Sequence, residues 1–173
     1  MRIGHGYDSH RFAEDRDLIL AGVHIPDHPG LVGHSDADAV AHAVIDALLG
    51  AAAAGDVGTH FPPTDETWKD ADSMELLQRI VFVLEARNYQ VVNVDITVIC
   101  ETPKIAPYAG DMRQRLGEVL GVGAGAVSVK GKSNEGMGSI GAGEGLATHA
   151  VVLIDSIGGF DGTWGATDEG LPL

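Results

Sequence analysis

Asp8 and His10 form an Asp-x-His pair near the start of the chain, and His42 follows on a later segment. Residues i and i+2 of a strand point to the same face, so the carboxylate and the first imidazole can reach one point. One oxygen and two nitrogen ligands suit Zn²⁺, and three protein ligands leave a fourth position open, as in catalytic zinc sites. We therefore predict a His₂Asp metal site. The spacing alone leaves two alternatives open, a structural zinc site and an ordinary hydrogen-bonded histidine.

A helix must supply His42 to this site. Asp38 to Ala54 is predicted to be helical, because alanines recur four residues apart and Val40, Val44 and Leu48 form an adjoining row. Asp38 and Asp46 stand at i−4 and i+4 from His42, so either carboxylate could orient the imidazole.

The segments around the Asp-x-His pair predict two strands. Arg2 to Phe12 is typical of a strand, Ala13 to Asp17 of a charged turn, and Leu18 to Val23 of an antiparallel neighbour. Pro26 to Gly30 is predicted to be a loop, since it contains two prolines and a glycine.

Helices and strands alternate over the rest of the chain. The predicted elements are a helix from Asp72 to Arg87, a strand from Val91 to Cys100, a helix from Pro107 to Leu120, a strand from Val127 to Lys132, a glycine-rich loop from Gly136 to Gly145 and a strand from Leu146 to Ile154. This pattern predicts an α+β fold, an α/β sandwich in which a mixed four-stranded sheet carries helices on one face. We expect one catalytic domain over residues 1–155 and a Gly-rich acidic C-terminal tail over 156–173.

Composition limits the possible partners. The 173 residues carry a formal net charge of −14, which disfavours nucleic acid and anionic membranes as large-area partners. An apolar fraction of 45% argues against disorder, and the single cysteine, Cys100, excludes an internal disulfide. No segment has the apolar run of a signal peptide or membrane span, so we expect a cytoplasmic protein.

Four stretches resemble the 2-C-methyl-D-erythritol 2,4-cyclodiphosphate synthase family. They occur in this order: GHGYDSHRF, GLVGHSDADAVAHAVIDALLGAAAAGDVGTHFPPTD, VDITVICETPKIAPY and VKGKSNEGMG. The resemblance implies that 4-diphosphocytidyl-2-C-methyl-D-erythritol 2-phosphate is cyclised to 2-C-methyl-D-erythritol 2,4-cyclodiphosphate with release of CMP, in non-mevalonate isoprenoid precursor biosynthesis. It further implies a homotrimer, with sheets around the three-fold axis and active sites between neighbouring subunits.

The resemblance also assigns roles to individual residues. It implies zinc at Asp8, His10 and His42, of which the first two also contact substrate, and Mg²⁺ or Mn²⁺ at Glu135. Phosphate contacts are implied for His34 and Ser35, and the methylerythritol side for Asp56, Val57, Gly58, Phe61, Pro62, Pro63, Thr64 and Asp65. The cytidine side is implied for Cys100, Glu101, Thr102, Pro103, Lys104, Ile105, Ala106, Ser133, Asn134 and Glu135. His34, Ser133 and Lys132 would then donate hydrogen bonds to the transition state.

Two other functions fit a predicted zinc site. One is a zinc-dependent phosphohydrolase that uses metal-bound water, and the other is a zinc-stabilised oligomer without catalytic activity. The products formed from the CDP-linked substrate distinguish all three hypotheses.

Overall fold

The computed structural model describes residues 1–158, which form an α+β fold. Its strands are β1 (Arg2–Leu20), β2 (Val23–Leu31), β3 (Tyr89–Ile99), β4 (Val127–Lys132) and β5 (Gly145–Ser156). Its helices are α1 (Ala39–Ala52), α2 (Val57–His60), α3 (Ser73–Ala86), α4 (Ala109–Leu120) and α5 (Gly138–Gly141). The predicted tail begins at Ser156, which ends β5, and from residue 159 onward it lies outside the described residues.

The sheet has five strands in the order β2-β1-β5-β3-β4, so the prediction of four strands was wrong. All neighbouring pairs are antiparallel except β3 and β4, which are parallel. A two-residue turn at Ala21 and Gly22, with φ of 53° and 68°, reverses the chain after β1. Such a turn matches the twist of paired strands, and β2 therefore folds back onto the end of β1 as the added edge strand.

The hairpin also corrects two predictions for local structure. Leu18 to Leu20 ends the first strand instead of starting its neighbour, and the predicted loop from Pro26 to Gly30 lies within β2. An edge strand tolerates proline because one row of its N–H groups faces away from the sheet. The predicted turn between Ala13 and Asp17 is an irregular stretch of β1, where the register shifts against β2.

Helices α1, α3 and α4 contribute buried apolar side chains to one core that packs against the sheet. Asp38 begins α1, since its side chain accepts hydrogen bonds from the backbone N–H groups of Val40 and Ala41. Gly4 and Gly6 of β1 lie directly beneath α1, where an added Cβ would overlap backbone carbonyl oxygens of the helix. The absence of side chains at these two positions lets the helix approach the strand closely.

The opposite face of the sheet carries exposed apolar side chains. Ile3, Tyr7 and Val151 are 73%, 50% and 43% exposed, although they lie on the two adjacent central strands β1 and β5. Among the described helices, none has the length and apolar character needed to cross a lipid bilayer.

Candidate metal centre and substrate cavities

The fold brings Asp8, His10 and His42 together where β1 meets α1. Asp8 Oδ2 lies 2.8 Å from His10 Nε2 and 3.2 Å from His42 Nδ1. One ligand atom from each residue lies within 4.8 Å of the others, and all three side chains are partly buried. Ligand atoms of a tetrahedral zinc ion lie roughly 3.3 Å apart, given bonds of about 2.0–2.1 Å. The donor set therefore fits a zinc-sized cation after small side-chain movements.

The second ring nitrogen of His10 has its own partner. His10 Nδ1 donates a hydrogen bond to the backbone oxygen of Val32 at 2.6 Å. A carbonyl oxygen can only accept, so this bond keeps a proton on Nδ1 and leaves Nε2 directed toward Asp8. Histidine ligands of metal ions are commonly oriented by such a bond.

Hydrogen bonding keeps Asp8 in the form that binds cations. Burial alone would raise the pKa of Asp8, but polar and charge interactions with the His10 and His42 side chains together outweigh burial and hold the pKa well below its usual range. Burial alone would lower the pKa of His10, but the hydrogen bond to Asp8, the negative charge of Asp8 and the hydrogen bond to the Val32 carbonyl together outweigh burial and raise the pKa. Asp8 is therefore a carboxylate throughout the physiological pH range.

The hydrogen-bond partners of His42 Nε2 are two serines, and the predicted carboxylates of Asp38 and Asp46 bond elsewhere. Its Nε2 lies 3.0 Å from Ser73 Oγ and 3.2 Å from Ser35 Oγ. Asp38 instead caps α1, and Asp46 accepts a hydrogen bond from the backbone N–H of Val57 at 2.7 Å. The prediction that one of these aspartates orients His42 was wrong, because both carboxylates already bond to backbone groups.

A cavity of about 270 Å³ opens beside the three ligands. Its lining includes nine residues predicted from the sequence and two that were missed. The predicted ones are Asp8, His10, His34, Ser35, His42, Val57, Gly58, Phe61 and Pro63. Trp68 and Leu76 were missed; Trp68 packs edge-on against Phe61, with ring centroids 5.0 Å apart. The only signal for Trp68 was an aromatic residue shortly after the FPPTD stretch.

Other predicted residues shape the loops beside this cavity without lining it. Asp56 caps α2 by accepting hydrogen bonds from Thr59, and Asp65 caps the next turn by accepting one from the Thr67 N–H. His34 Nε2 lies 3.3 Å from the Asp65 carbonyl oxygen. The two remaining predicted positions in this stretch are Pro62 and Thr64. Their direct contact with substrate stays a prediction.

A second cavity, of about 220 Å³, lies where β3 and β4 end. It is lined by Cys100, Pro103, Lys104, Ile105, Ala106, Gly131, Lys132 and Ser133. Among these, only Gly131 was not predicted. A glycine is required there because an added Cβ would lie 2.9 Å from Ile105 Cβ.

Hydrogen bonds join the two chain segments around the second cavity. Glu101 Oε1 accepts from the backbone N–H groups of Asn134 and Gly136, at 2.9 Å and 3.2 Å. Ser133 Oγ donates to Glu135 Oε1 at 2.7 Å. Glu101 therefore holds the loop after β4 against the loop after β3.

His28 is a further contact that the sequence did not indicate. Its Nε2 lies 3.1 Å from Thr102 Oγ1, so β2 supports the loop that lines the second cavity. His28 precedes this loop by a long stretch of chain, and no local pattern links the two.

We predict that the Cys100 thiol reacts slowly with alkylating reagents. The side chain is buried, and burial raises its pKa to about 11. At pH 8 the thiolate fraction should be roughly 200-fold below that of an exposed cysteine, whose pKa is about 8.5. The rate of iodoacetamide labelling, followed by mass spectrometry, should rise about tenfold per pH unit up to pH 11. A rate that levels off near pH 9 would contradict this prediction.

The part of the chain that forms both cavities also matches known proteins. A profile of the YgbB family matches residues 1–155. The 2-C-methyl-D-erythritol 2,4-cyclodiphosphate synthase of Symbiobacterium thermophilum is 56% identical over 154 residues, which cover 89% of this chain and 98% of that protein.

Two solved structures share the fold. The bifunctional IspDF from Campylobacter jejuni superposes with a TM-score of 0.87 at 37% identity, over 90% of this chain and 42% of that longer one. A 2C-methyl-D-erythritol-2,4-cyclodiphosphate synthase in a CDP-bound form gives a TM-score of 0.82 at 35% identity, over 89% of this chain and all of that one. The match over residues 1–155, together with 56% identity to the Symbiobacterium thermophilum synthase, shows that the chain belongs to the YgbB family.

Proposed function

We propose that the chain cyclises 4-diphosphocytidyl-2-C-methyl-D-erythritol 2-phosphate to 2-C-methyl-D-erythritol 2,4-cyclodiphosphate and releases CMP. It is then a phosphorus–oxygen lyase of non-mevalonate isoprenoid precursor biosynthesis. The observation that carries this proposal is the convergence of Asp8, His10 and His42 on one cavity, in a chain 56% identical to a synthase of that name.

The reaction needs no nucleophile from the protein. An oxygen of the 2-phosphate attacks the β-phosphorus of the CDP group, the bond to the bridging oxygen breaks, and CMP leaves with the electron pair. The main obstacles are repulsion between two anionic groups and the entropy of folding a flexible substrate. Well-oriented intramolecular reactions gain roughly 7–11 kcal/mol from positioning, so holding both substrate ends supplies much of the catalysis.

Zinc is the cation that best suits the three converging ligands. We assign it to Asp8, His10 and His42, whose two nitrogens and one carboxylate oxygen resemble the ligand set of catalytic zinc sites. When bound, zinc would supply a Lewis acid that neutralises phosphate charge.

The loops around both cavities would hold the rest of the substrate. His34, at the first cavity, and Ser133, at the second, each carry a donor for a phosphate oxygen. Lys104 and Lys132 add positive charge at the second cavity, which we assign to the cytidine diphosphate end. Phe61 and Trp68 supply apolar contact for the methylerythritol carbons and exclude water.

A second cation, Mg²⁺ or Mn²⁺, is assigned to Glu135. We predict that Glu135→Gln raises the Mg²⁺ concentration needed for half-maximal turnover by roughly tenfold, because Mg²⁺ is typically held by one or two carboxylates plus substrate phosphates. Titration of activity with Mg²⁺ measures this change. Bound zinc should stay stoichiometric in the variant, and an unchanged Mg²⁺ titration would refute the assignment.

We also propose that the active form is a homotrimer with sites between subunits. Ile3, Tyr7 and Val151 give the open sheet face an apolar surface that a second copy can cover. The two cavities share no lining residue within the described part of the chain, which favours a substrate held by two copies. Sedimentation should give about three times the chain mass, and a stable monomer that is fully active would contradict the shared site.

One assay tests the function against its alternatives. The purified protein is incubated with the CDP-linked substrate, Zn²⁺ and Mg²⁺, and the products are resolved by phosphorus NMR. CMP with a cyclic diphosphate supports the proposal. A linear phosphate product would support a zinc-dependent phosphohydrolase, and zinc binding without turnover would support a non-catalytic oligomer.

A further inference from the structure

A partly buried series of hydrogen bonds extends from His42 away from Asp8. His42 Nε2 lies 3.0 Å from Ser73 Oγ, and the Ser73 hydroxyl donates to Asp36 Oδ1. The backbone N–H of Ser73 also donates to Asp36 Oδ2, at 3.1 Å. Ser73 has no exposed surface, although it is the first residue of α3.

The available hydrogen atoms determine which group donates in each of these hydrogen bonds. A serine hydroxyl has one hydrogen, and Ser73 gives that hydrogen to Asp36, a carboxylate that can only accept. The hydroxyl oxygen is therefore an acceptor toward His42, which must carry a proton on Nε2. A neutral imidazole with its proton on Nε2 has its free lone pair on Nδ1, the atom 3.2 Å from Asp8 Oδ2.

Ser35 is the other possible acceptor for His42 Nε2, but its hydroxyl is not oriented by a carboxylate as the Ser73 hydroxyl is. Its Oγ lies 3.2 Å from His42 Nε2 and also accepts from the backbone N–H of Ala37 at 3.2 Å. Among residues 1–158 its own hydroxyl hydrogen has no carboxylate acceptor, since its remaining partner there is Ser73 Oγ at 3.4 Å. Ser73, whose hydroxyl is oriented by Asp36, therefore determines the tautomer of His42 more strongly than Ser35 does.

We infer that Ser73, oriented by Asp36, is a positioning residue that holds the proton of His42 on Nε2 and leaves Nδ1 free to bind the metal ion. The inference rests on the metal site of the proposed function and assigns it an outer partner. Each histidine ligand then has one ring nitrogen held by a hydrogen bond and the other directed toward Asp8. His10 is held through its Nδ1 and His42 through its Nε2.

Zinc affinity of the variant Ser73→Ala tests this role directly. The affinity is measured by competition with a chelator, and the visible spectrum of the Co²⁺-loaded protein reports the ligand set. We expect zinc to bind roughly 10–100-fold more weakly, which is the usual effect of removing the partner of a ligating histidine. Ser73→Thr restores the hydroxyl and should bring the affinity back to within about threefold of the parent.

Asp72→Ala is the matched control at the start of the same helix. Asp72 caps α3 through the backbone N–H of Met74 and makes no hydrogen bond to His42. Its loss should lower the melting temperature without weakening zinc binding. Equal weakening in Asp72→Ala and Ser73→Ala would show that the start of the helix, and not the Ser73 hydroxyl, controls the affinity.

The outcomes separate this inference from the proposed function. Zinc bound equally tightly by the parent and Ser73→Ala, with the same Co²⁺ spectrum, overturns the inference and leaves the metal site in place. No zinc bound by the parent overturns the metal site and the inference together. Weaker binding in Ser73→Ala, with rescue by Ser73→Thr, supports both.

Discussion

Replacing Asp8 by asparagine should weaken zinc binding by more than roughly 100-fold and cyclisation by about 10³-fold. Asp8 Oδ2 is the atom shared by the site, at 2.8 Å from His10 Nε2 and 3.2 Å from His42 Nδ1. Asparagine keeps the shape and removes the negative charge. A 10³-fold loss corresponds to about 4 kcal/mol, within the several kcal/mol that a Lewis acid contributes to a transition state. Chelator competition and the rate of CMP release measure the two effects.

Asp46→Asn is the control that removes one negative charge near the site without replacing a proposed metal ligand. Asp46 lies close enough to affect the electrostatics of the site, but its carboxylate bonds to the Val57 N–H. An asparagine can still accept that bond, so zinc affinity should stay within about tenfold of the parent. An equal loss in both variants would indicate net charge as the cause. Full turnover by Asp8→Asn without bound zinc would show that the metal assignment is wrong.

The metal triad was predictable because two of its ligands are close in sequence and the third lies on a segment with a clear helical pattern. The spacing of Asp8 and His10 places both on one face of a strand, and the alanine pattern around His42 predicts its helix. Convergence of the three then required only that the helix pack on the strand, which it does. The loop from Cys100 to Ala106 was implied by resemblance, and the structure places most of it around one cavity.

Contacts between distant segments were not predictable in the same way. His42 meets Ser73 because the start of α3 packs beside α1, and nothing in the spacing of these residues encodes that approach. The link from His28 to Thr102 has the same origin. The bounds of the edge strand were wrong for a different reason, since Pro26 and Pro29 suggested a loop where an edge strand tolerates them.

The acidity of the chain is compatible with an anionic substrate. A net charge of −14 repels large polyanions over the whole surface. Locally, the second cavity is lined by Lys104 and Lys132, and the first by the proposed metal ligands Asp8, His10 and His42. The two lysines, together with the proposed metal ion, would supply positive charge where a small phosphorylated molecule would bind.

Replacing Gly6 by alanine should destabilise the fold by at least about 3 kcal/mol and disrupt the metal site. A Cβ at Gly6 would overlap the Ala43 carbonyl oxygen and lie 2.7 Å from the Ala47 nitrogen. Both are backbone atoms of α1, so no side-chain rotation relieves the overlap and the helix must move away from β1. That movement separates His42, on the helix, from Asp8, on the strand. Thermal unfolding of the metal-free protein measures the loss of stability, and chelator competition measures the loss of zinc affinity.

Gly50→Ala is the matched substitution on the other side of this contact. Gly50 is an exposed residue of α1, and within the described part of the chain the atom nearest to an added Cβ would be the His5 carbonyl oxygen, at 4.0 Å. Alanine favours a helix over glycine by roughly 0.5–1 kcal/mol, so this variant should be at least as stable as the parent and bind zinc equally well. A stable Gly6→Ala protein with unchanged zinc affinity would contradict the close approach of α1 to β1. A large loss in Gly6→Ala alone would show that glycine at this position is what allows one helix and one strand to share a metal ion.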